Sequence, residues 1–411
     1  VPNAAPTVAL SSKEQASSAF QCPDTSATAA SASAPVTPVV VFPAGCPQAA
    51  RPKRPQTTIK WRISSPGNCD HDSVTRACGK VALTNRVGMA VAMPALSLYN
   101  SLTRSLEAFT GPRDGKVVRL YTCGPTVYAY QHIGNMRAFL FADTLGRVLR
   151  WNGFETKHII NITDVGHLTS DADAGDDKME KAAAAEAKSI WDIAAHYTDA
   201  FKADVKRLNI TDPAEWTVAT DHVPQMIKFA KTIEKDCYQL ESGLYFDVSK
   251  VPNYGSLARQ ASDEGESRID PVSGKRHPQD FAIWRTSPPG ENRQMEWDSP
   301  WGRGAPGWHL ECSVMSLAHL GHPFDIHTGG IDHREIHHPN EIAQNQAYCS
   351  CEDSGATFWM HNNFLVDRRG KMSKSSGEFL TLQRLVDRGV HPLAYRLMCL
   401  SAHYRSELEF T

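Results

Sequence analysis

Residues 120–136 read LYTCGPTVYAYQHIGNM, and this stretch decides how the surrounding chain folds. The apolar run at residues 117–121 is typical of a short buried strand, and a Gly-Pro pair ends it directly after Cys123. An apolar segment of helical length begins at Met136. The pattern therefore predicts a strand, a loop that carries Cys123, and a helix.

The loop between this strand and this helix has the features of a ligand site. In an open parallel sheet, ligands bind at the carboxyl ends of the strands, which is where the sequence places Cys123. The tetrapeptide His132-Ile133-Gly134-Asn135 lies at the start of the helix, where N–H groups and the helix dipole attract phosphate. A thiol and a phosphate cradle on one loop suggest a site for a soft ligand and a nucleotide. Neither feature is specific by itself, because a cysteine after a strand is more often part of the core.

The following elements continue the alternation of strands and helices. Residues 137–151 carry apolar side chains at helical spacing, and residues 158–162 are typical of a second buried strand. Helical spacing recurs at residues 190–208 and again at residues 226–240. The strand–helix–strand unit predicts an α/β fold of Rossmann-like type, which is a doubly wound parallel sheet.

The composition argues against several classes of protein. Its 43 basic and 45 acidic residues produce no global basic field, so any contact with nucleic acid needs a local basic patch. The ten cysteines form no dense framework and no C-x-x-C pair; Cys349 and Cys351 make only a C-x-C, so we expect reduced thiols. No apolar run reaches the roughly 18 residues of a membrane span, so we expect no membrane partner.

Residues 1–88 differ in composition from the rest of the chain. The first part is rich in Ala, Ser, Pro, Thr and Val and lacks periodicity, and residues 51–87 are basic and poor in acids. We expect a low-complexity, disordered extension. A transit peptide is the alternative interpretation, and it would direct the protein to an organelle. The chain begins with Val1, which indicates an incomplete or misassigned start.

A second stretch, Lys371-Met372-Ser373-Lys374-Ser375, lies in a polar loop flanked by glycines. HIGN after a first strand and KMSKS far downstream is the ordered pair that marks class I aminoacyl-tRNA synthetases. Over residues 96–411 the chain resembles the cysteinyl-tRNA synthetases. The motifs that carry the resemblance are CGPTVY, HIGN, NITDV, PGWHLECS, HTGGID, HHPNEIAQ, WMHNNFL, KMSKS and HYRS.

The resemblance implies a domain organisation built on the class I synthetase catalytic core. Residues 96–240 would form the first half of the Rossmann-like domain, residues 241–306 an insertion, and residues 307–366 the second half with metal ligands. Residues 367–411 would carry the KMSKS loop and the start of a helical domain. Family members continue beyond this point into a helical bundle and an anticodon-binding domain. The resemblance is therefore to a member that is truncated at its carboxyl terminus.

The family binds zinc, and four side chains match its ligands. By resemblance, one zinc ion per chain is bound by Cys123, Cys312, His337 and Glu341. His337 and Glu341 are four residues apart, so on a helix they project from one face and can share a metal. The segment before the histidine pair departs from the commoner family pattern, so His333 and His338 remain alternatives. The spacing to Glu341 favours His337.

Zinc in this position would explain how the substrate cysteine is selected. Serine and alanine differ from cysteine by one atom or group, and a hydrophobic pocket gains only about 1–3 kcal/mol from such a difference. A zinc ion with an open coordination position binds cysteine as a thiolate, for which a hydroxyl group is a poor substitute. Selection would then come from coordination, without an editing domain.

The resemblance also implies ATP-dependent activation of L-cysteine to cysteinyl-adenylate and transfer of cysteine to tRNA(Cys). Negative charge gathers on phosphate oxygens in the transition state, so catalysis needs positioned donors and cations. His132 and Asn135 would donate from the helix start, and Gly134 would let adenine approach the backbone. Lys371 and Lys374 would neutralise the leaving pyrophosphate. Magnesium would accompany ATP, although the sequence shows no dedicated carboxylate cage for it.

The pocket for the substrate would be formed by residues from several motifs. The resemblance assigns substrate binding to Gly124, Thr163, Trp308 and Asp332. Trp308 and Thr163 would line the amino-acid pocket. Gly329, Gly330 and Asp332 resemble the turn that meets ribose or the substrate amine.

We therefore expect a monomeric, cytoplasmic enzyme whose partners are ATP, L-cysteine and tRNA(Cys). Two alternatives remain. One is the related ligase that joins activated cysteine to an amino-sugar in mycothiol synthesis, although Glu341 in its NEIAQ context favours the synthetase. The other is a truncated paralogue without catalysis, against which the intact His132, Lys371 and Lys374 argue.

Overall fold

The computed structural model describes the chain from Ala95 onward, with gaps. The described residues are 95–165, 178–186, 188–258, 273–290, 293–367, 370–371 and 380–410. All of them belong to the unit Met89–Thr411. The predicted extension at residues 1–88 and the KMSKS residue Lys374 lie outside the described residues.

Strands and helices alternate through the first part of this unit. The strands are β1 (Ser97–Asn100), β2 (Ser105–Ala108), β3 (Val118–Thr122), β4 (Thr156–Ile162), β5 (Glu215–Val218), β6 (Cys237–Leu240), β7 (Gly243–Phe246), β8 (Phe281–Thr286), β9 (Gly304–Pro306), β10 (Phe324–Gly330), β11 (Ala356–Asn362), β12 (Leu365–Asp367), β13 (Gly370–Lys371) and β14 (Leu408–Glu409). The helices are α1 (Ile133–Trp151), α2 (Lys178–Glu186), α3 (Ile190–Arg207), α4 (Val223–Ile233), α5 (Trp308–Leu320), α6 (His337–Cys349), α7 (Leu382–Asp387) and α8 (Pro392–Leu400).

Five strands form a parallel sheet that positions the predicted site residues. Its order is β5-β4-β3-β10-β11, and every neighbouring pair runs parallel. Numbered along the chain within this sheet, the order is 3-2-1-4-5, which is the arrangement of a Rossmann-like fold. The order reverses between β3 and β10, so the loops after these two strands meet at the carboxyl edge. The structure confirms the predicted fold class.

Helices cover both faces of this sheet because its central strands are apolar on both sides. Ile159 of β4 belongs to the core that contains α4, α5 and α6 side chains, whereas its neighbour Ile160 belongs to the core that contains α1 and α3. Both side chains are inaccessible to solvent, at 0% and 1%. Successive strand residues point to opposite faces, so an apolar pair in sequence requires cover on both sides.

Helix α1 begins at Ile133, within the HIGN tetrapeptide that the sequence places at the helix start, whereas the apolar segment begins only at Met136. The ring of His132 accepts a hydrogen bond from the Asn135 N–H through Nδ1, at 3.1 Å, and so caps the helix. Apolar periodicity marks only the part of a helix that packs on the core. The first turn of α1 carries the HIGN motif instead, and the capping contact decides where it starts.

The segment after α4 forms an antiparallel sheet in the order β6-β7-β8-β9. The prediction of helical structure through residues 226–240 is wrong, because α4 ends at Ile233 and Cys237–Leu240 form β6. Gly243 has a φ of 140° and pairs with Leu240 across a tight hairpin, a conformation that favours glycine. The apolar residues of this short strand also fit a helical period, so spacing alone could not separate the two structures.

One pair of cysteines departs from the expectation of reduced thiols. Cys349 and Cys351 form a disulfide, with their Cα atoms 5.2 Å apart. The intervening Ser350 has a φ of 51°, and this left-handed turn folds the chain back at the end of α6. The other described cysteines are free, namely Cys123, Cys237, Cys312 and Cys399.

The described helices include no candidate membrane span. None of them combines the length and the apolar character needed to cross a bilayer.

Candidate metal and nucleotide site

Four of the predicted site residues meet at the carboxyl edge of the parallel sheet. Cys123 follows β3, Cys312 lies in α5, and His337 and Glu341 lie in the first part of α6. One ligand atom from each residue lies within 4.8 Å of the other three, and all four residues are buried. Sγ of Cys123 lies 3.7 Å from Sγ of Cys312 and 3.7 Å from Oε1 of Glu341. We call these four residues the edge cluster.

The loop that carries Cys123 is positioned by the next residue, Gly124. The Gly124 N–H donates to Oδ1 of Asn161 at 2.7 Å, and a Cβ atom on Gly124 would lie 1.4 Å from the Asn161 carbonyl oxygen. Glycine is therefore required for this loop to approach the end of β4 so closely. Oδ1 of Asn161 also lies 3.9 Å from Sγ of Cys312, so β4 helps to bring both thiols together.

The geometry and the donor set of the edge cluster fit a zinc ion. Nε2 of His337 is buried and lies 3.0 Å from Oε1 of Glu341, but the two atoms form no well-directed hydrogen bond. A cation bound between them would satisfy both atoms. Two Zn–S bonds of about 2.3 Å in a tetrahedral site place the sulfurs about 3.8 Å apart. The sulfur–sulfur distance of 3.7 Å between Cys123 and Cys312 matches this requirement.

Burial and mutual charge set the protonation of the edge cluster. Burial raises the pKa of Cys312, but its hydrogen bond with Cys123 and the neighbouring His337 outweigh this effect and lower the pKa to about 6. Burial lowers the pKa of His337, but Glu341 and Cys312 raise it to about 10. Burial and Cys312 raise the pKa of Cys123 well above its usual value. The buried groups thus shift one another's pKa values in opposite directions, and binding of a metal would release the protons that they still hold.

A second group of side chains overlaps the edge cluster. Its ligand atoms also lie within 4.8 Å of one another, and its members are Cys123, His327, His338 and Glu341. Nε2 of His327 lies 2.8 Å from Oε2 of Glu341, and Nε2 of His338 lies 3.4 Å from Sγ of Cys123. The sequence did not single out His327, which lies in β10 and faces the core. A polar residue inside an otherwise buried strand is the signal that could have revealed it.

The two groups differ in which of the alternative histidines they contain. The group with His337 contains both cysteines, whereas the group with His338 contains one. Thiolates are the preferred ligands of zinc, so the donor chemistry favours His337. Nδ1 of His338 pairs with Nε2 of His361 at 2.7 Å, which directs His338 into a buried histidine network. His333 belongs to neither group.

The HIGN turn forms the start of α1, close to the loop that carries the first cysteine. Nδ1 of His132 accepts the Asn135 N–H, so a neutral ring carries its proton on Nε2. The Asn135 amide donates to Oε1 of Gln131 at 2.8 Å. A Cβ atom on Gly134 would lie 2.9 Å from the His132 ring, so the ring can occupy this position only because residue 134 has no side chain. The turn therefore presents a helix amino terminus with a histidine donor at its edge.

The chain that follows the KMSKS segment lies against the HIGN turn. The Ile133 N–H donates to the Leu380 carbonyl at 2.9 Å, and His132 forms an antiparallel bridge with Thr381. On the other side, Lys371 of β13 pairs with Val366 of β12. Lys374 itself lies outside the described residues. The contact with the HIGN turn is therefore made by residues 380 and 381, which follow the KMSKS motif in sequence.

Comparison with known proteins identifies the family. A sequence profile for the catalytic domain of class I (C) tRNA synthetases matches residues 109–411. The cysteine--tRNA ligase of Novosphingobium aromaticivorans is 70% identical over 323 residues, which are 77% of this chain and 65% of that protein. The cysteine--tRNA ligase 1 of Burkholderia lata is 52% identical over 321 residues, covering 77% of this chain and 67% of that protein. The chain belongs to the cysteinyl-tRNA synthetase family.

The chain spans about two thirds of the length of the curated relatives it matches. The Zymomonas mobilis relative shows the same pattern, with 62% identity over 79% of this chain and 63% of its own length. Among solved structures, Mycobacterium tuberculosis methionyl-tRNA synthetase bound by methionyl-adenylate matches with a TM-score of 0.52 and 17% identity. That match covers 72% of this chain and 66% of the other, and it shows a shared fold.

The remaining predicted residues lie at different distances from the edge cluster. Thr163 is buried and donates to Oε2 of Glu311 at 2.9 Å. The Trp308 ring is tilted over the His337 ring, with 4.2 Å between their centroids. Asp332 lies in an exposed turn after β10. Three of these residues therefore lie beside the cluster, namely Thr163, Trp308 and Gly124. Asp332 lies instead in the turn that follows β10, at the carboxyl edge of the sheet.

Glu311 is a buried carboxyl group that the sequence analysis did not assign to the site. Burial and the neighbouring Cys312 raise its pKa well above the usual range, although the hydrogen bond from Thr163 opposes this. An acidic residue directly before a candidate ligand, within a helix of mostly apolar residues, is the signal that could have found it.

Proposed function

We propose that this chain activates L-cysteine with ATP to form cysteinyl-adenylate and transfers the cysteinyl group to tRNA(Cys). The observation that carries the proposal is the convergence of the edge cluster at the end of β3, on the loop whose other end is the HIGN turn. A candidate thiolate-binding metal site and a candidate phosphate-binding helix start thus share the loop between β3 and α1. The relatives named cysteine--tRNA ligase support the same activity.

The edge cluster would select the amino acid. Cys123, Cys312, His337 and Glu341 would hold zinc, which when bound supplies a coordination position for the substrate thiolate. The Trp308 ring against His337 would wall one side of this position. The main competitor, serine, offers a hydroxyl group that binds poorly to a thiolate-rich site. Thr163 and Gly124 would shape the rest of the pocket, and Asp332 would face the substrate amine or the ribose.

The HIGN turn and the KMSKS loop would promote the chemical step. The cysteine carboxylate attacks the α-phosphorus of ATP, and the bond from that phosphorus to the pyrophosphate oxygen breaks. His132 would donate from Nε2 to a phosphate oxygen, because its Nδ1 is occupied by the Asn135 N–H. Gly134 would keep the backbone open to the adenine ring, and Asn135 would add a second donor. Lys371 and Lys374 would stabilise the pyrophosphate, and magnesium would accompany ATP.

Cysteine-dependent exchange of pyrophosphate into ATP tests the first half-reaction. We expect exchange with cysteine and at least about 100-fold less with serine, because a coordinating site rejects an analogue that lacks the ligand atom. His132→Asn should lower the exchange rate, whereas His196→Asn, at an exposed histidine of α3, should leave it unchanged. Absence of exchange by the zinc-loaded chain, or equal exchange by the two variants, would contradict the proposal.

The acceptor is tested separately, by adding either tRNA(Cys) or a glucosaminyl-inositol to the activated enzyme. Transfer to tRNA supports the synthetase assignment. Transfer to the amino-sugar alone would instead identify the related ligase, and exchange without either transfer would limit the chain to cysteine activation.

A further inference from the structure

A second group of thiol and imidazole side chains lies at the opposite end of α6 from the edge cluster. Cys349 is the last residue of this helix, and Cys351 follows after one residue. His322 comes just after the end of α5 and lies beside them. One ligand atom from each of these three residues lies within 4.8 Å of the other two. We call them the helix-end group.

The helix-end group is distinct from the edge cluster. Residues 337 and 349 are at opposite ends of α6, and at 1.5 Å per residue a helix of this length separates them by about 18 Å. The edge cluster is buried, whereas Cys351 is exposed and Cys349 and His322 are half-buried. One group therefore faces the core and the other can exchange ions with solvent.

His322 provides an independent indication that something binds here. Its Nε2 atom is buried and makes no hydrogen bond within the described residues. Burial lowers the pKa of this imidazole, with Asp353 and Arg113 acting in opposite directions. The ring is therefore neutral near pH 7, which is the form that binds metals. Buried polar atoms normally have a partner, and a bound ion would supply one.

We propose that reduced Cys349 and Cys351, together with His322, form a second metal site for a thiophilic divalent cation such as Zn²⁺. Two thiolates and one imidazole are three zinc ligands, and the exposure of Cys351 leaves a fourth position to water. The disulfide closes this site, because sulfur atoms bonded to each other are not thiolate ligands. The site is thus open only in the reduced chain.

The opening step needs a reductant, and a trialkylphosphine is suitable in vitro. The phosphine and one water molecule convert the disulfide into two thiols, and the phosphine becomes a phosphine oxide. Binding of Zn²⁺ then replaces the two thiol protons, which are released to solvent. The cellular counterpart is a dithiol, which would be oxidised to its own disulfide as the Cys349–Cys351 bond is reduced.

The experiment measures zinc bound per full-length chain before and after phosphine treatment, with excess metal removed by gel filtration. We expect one additional equivalent in the reduced wild-type chain. Cys351→Ser should abolish this redox-dependent equivalent, and His322→Gln should weaken its binding at least about 10-fold. Cys237→Ser is the matched control, because Cys237 is a free cysteine outside both groups, and it should keep the additional equivalent.

Two results would overturn the proposal. The first is an equal zinc content before and after reduction, and the second is an additional equivalent that persists in Cys351→Ser. A variant that loses the edge-cluster zinc, such as Cys312→Ser, should still bind one more zinc ion after reduction than before. Loss of one site can therefore be distinguished from loss of the other. As a second measurement, Zn²⁺ should protect Cys351 of the reduced chain from alkylation, and unchanged alkylation would also contradict the site.

Discussion

The two ends of α6 carry similar chemical groups in opposite settings. At its start, His337 and Glu341 meet two thiols that come from distant parts of the chain, and the group is buried. At its end, Cys349 and Cys351 are two residues apart, and the pair is partly exposed. In the core, charges and protons depend on one another, as the opposite pKa shifts of Cys312 and His337 show. At the other end of α6, a covalent bond rather than mutual charge joins the two sulfur atoms, and solvent reaches Cys351. Burial thus couples the groups at the start of the helix through their charges, whereas those at its end are open to exchange with solvent.

The largest expected difference is in the rate of pyrophosphate exchange, between variants that lack one thiol at either end of α6. Cys312→Ser should lower cysteine-dependent pyrophosphate exchange at least about 100-fold, because loss of a ligand should exceed the 10–100-fold effects of residues that only orient ligands. Cys351→Ser should change the rate less than about 2-fold, since exposed positions have small effects. The rates and the zinc contents are measured on both variants. Similar rates in the two variants would show that the ends of α6 do not differ as proposed.

A substitution at Gly124 tests whether the edge cluster depends on a close backbone contact. A Cβ atom would clash with the Asn161 carbonyl oxygen, so Gly124→Ala should lower the free energy of unfolding by about 3 kcal/mol. The matched control is Gly146→Ala within α1, where a Cβ atom would meet only the flexible Arg150 side chain at 3.4 Å. That change should stabilise the chain by about 0.4–1 kcal/mol. Denaturant titration of both variants measures the effects, and an unaltered Gly124→Ala chain would contradict the contact.

His327 tests whether the carboxylate of the edge cluster is oriented by a neighbour. Its Nε2 lies 2.8 Å from Oε2 of Glu341, so His327→Asn should weaken zinc binding about 10-fold or more by releasing that carboxylate. His319→Asn is the control, since His319 pairs with Glu215 of β5 and belongs to neither group of candidate ligands. Competition with a chromophoric chelator measures both affinities. Equal zinc affinities of the two variants would show that His327 contributes only to packing and does not orient Glu341.

The two ends of α6 should also differ in how strongly acid destabilises them. At the start of the helix, His338 pairs with the buried His361. Burial, followed by His333 and Arg334, lowers the pKa of His361 well below its ordinary value of 6.5. As the pH falls, His361 therefore binds a proton in the unfolded chain before it does so in the folded chain. Its contribution to the free energy of unfolding is complete above pH 6.5 and is lost below that pH. The loss approaches about 1.4 kcal/mol per pH unit. His361→Gln should flatten the fall in unfolding free energy between pH 7 and 5, and His322→Gln should change it less. A reversed order would contradict the difference in burial.

Sequence reasoning worked where a local pattern and the final structure obey the same constraint. The apolar run before Cys123 could only be a buried strand, and its observed bounds, Val118–Thr122, differ by one residue from those predicted. It failed at Cys237–Leu240, where a short strand also fits helical spacing and a hairpin decides the outcome. The disulfide at Cys349 was also missed, because a C-x-C pattern does not show whether the turn between the cysteines brings the sulfur atoms together.

The sequence by itself determined the strand–loop–helix unit around HIGN, the i,i+4 pair of His337 and Glu341, and the family, because these depend on neighbours along the chain. The tertiary structure decided the rest. Cys123 and Cys312 are 189 residues apart in sequence and 3.7 Å apart in space, and their pKa values diverge because they are buried together. Distance between remote residues, and the loss of water around them, are properties of the packed chain. No local pattern contains either one.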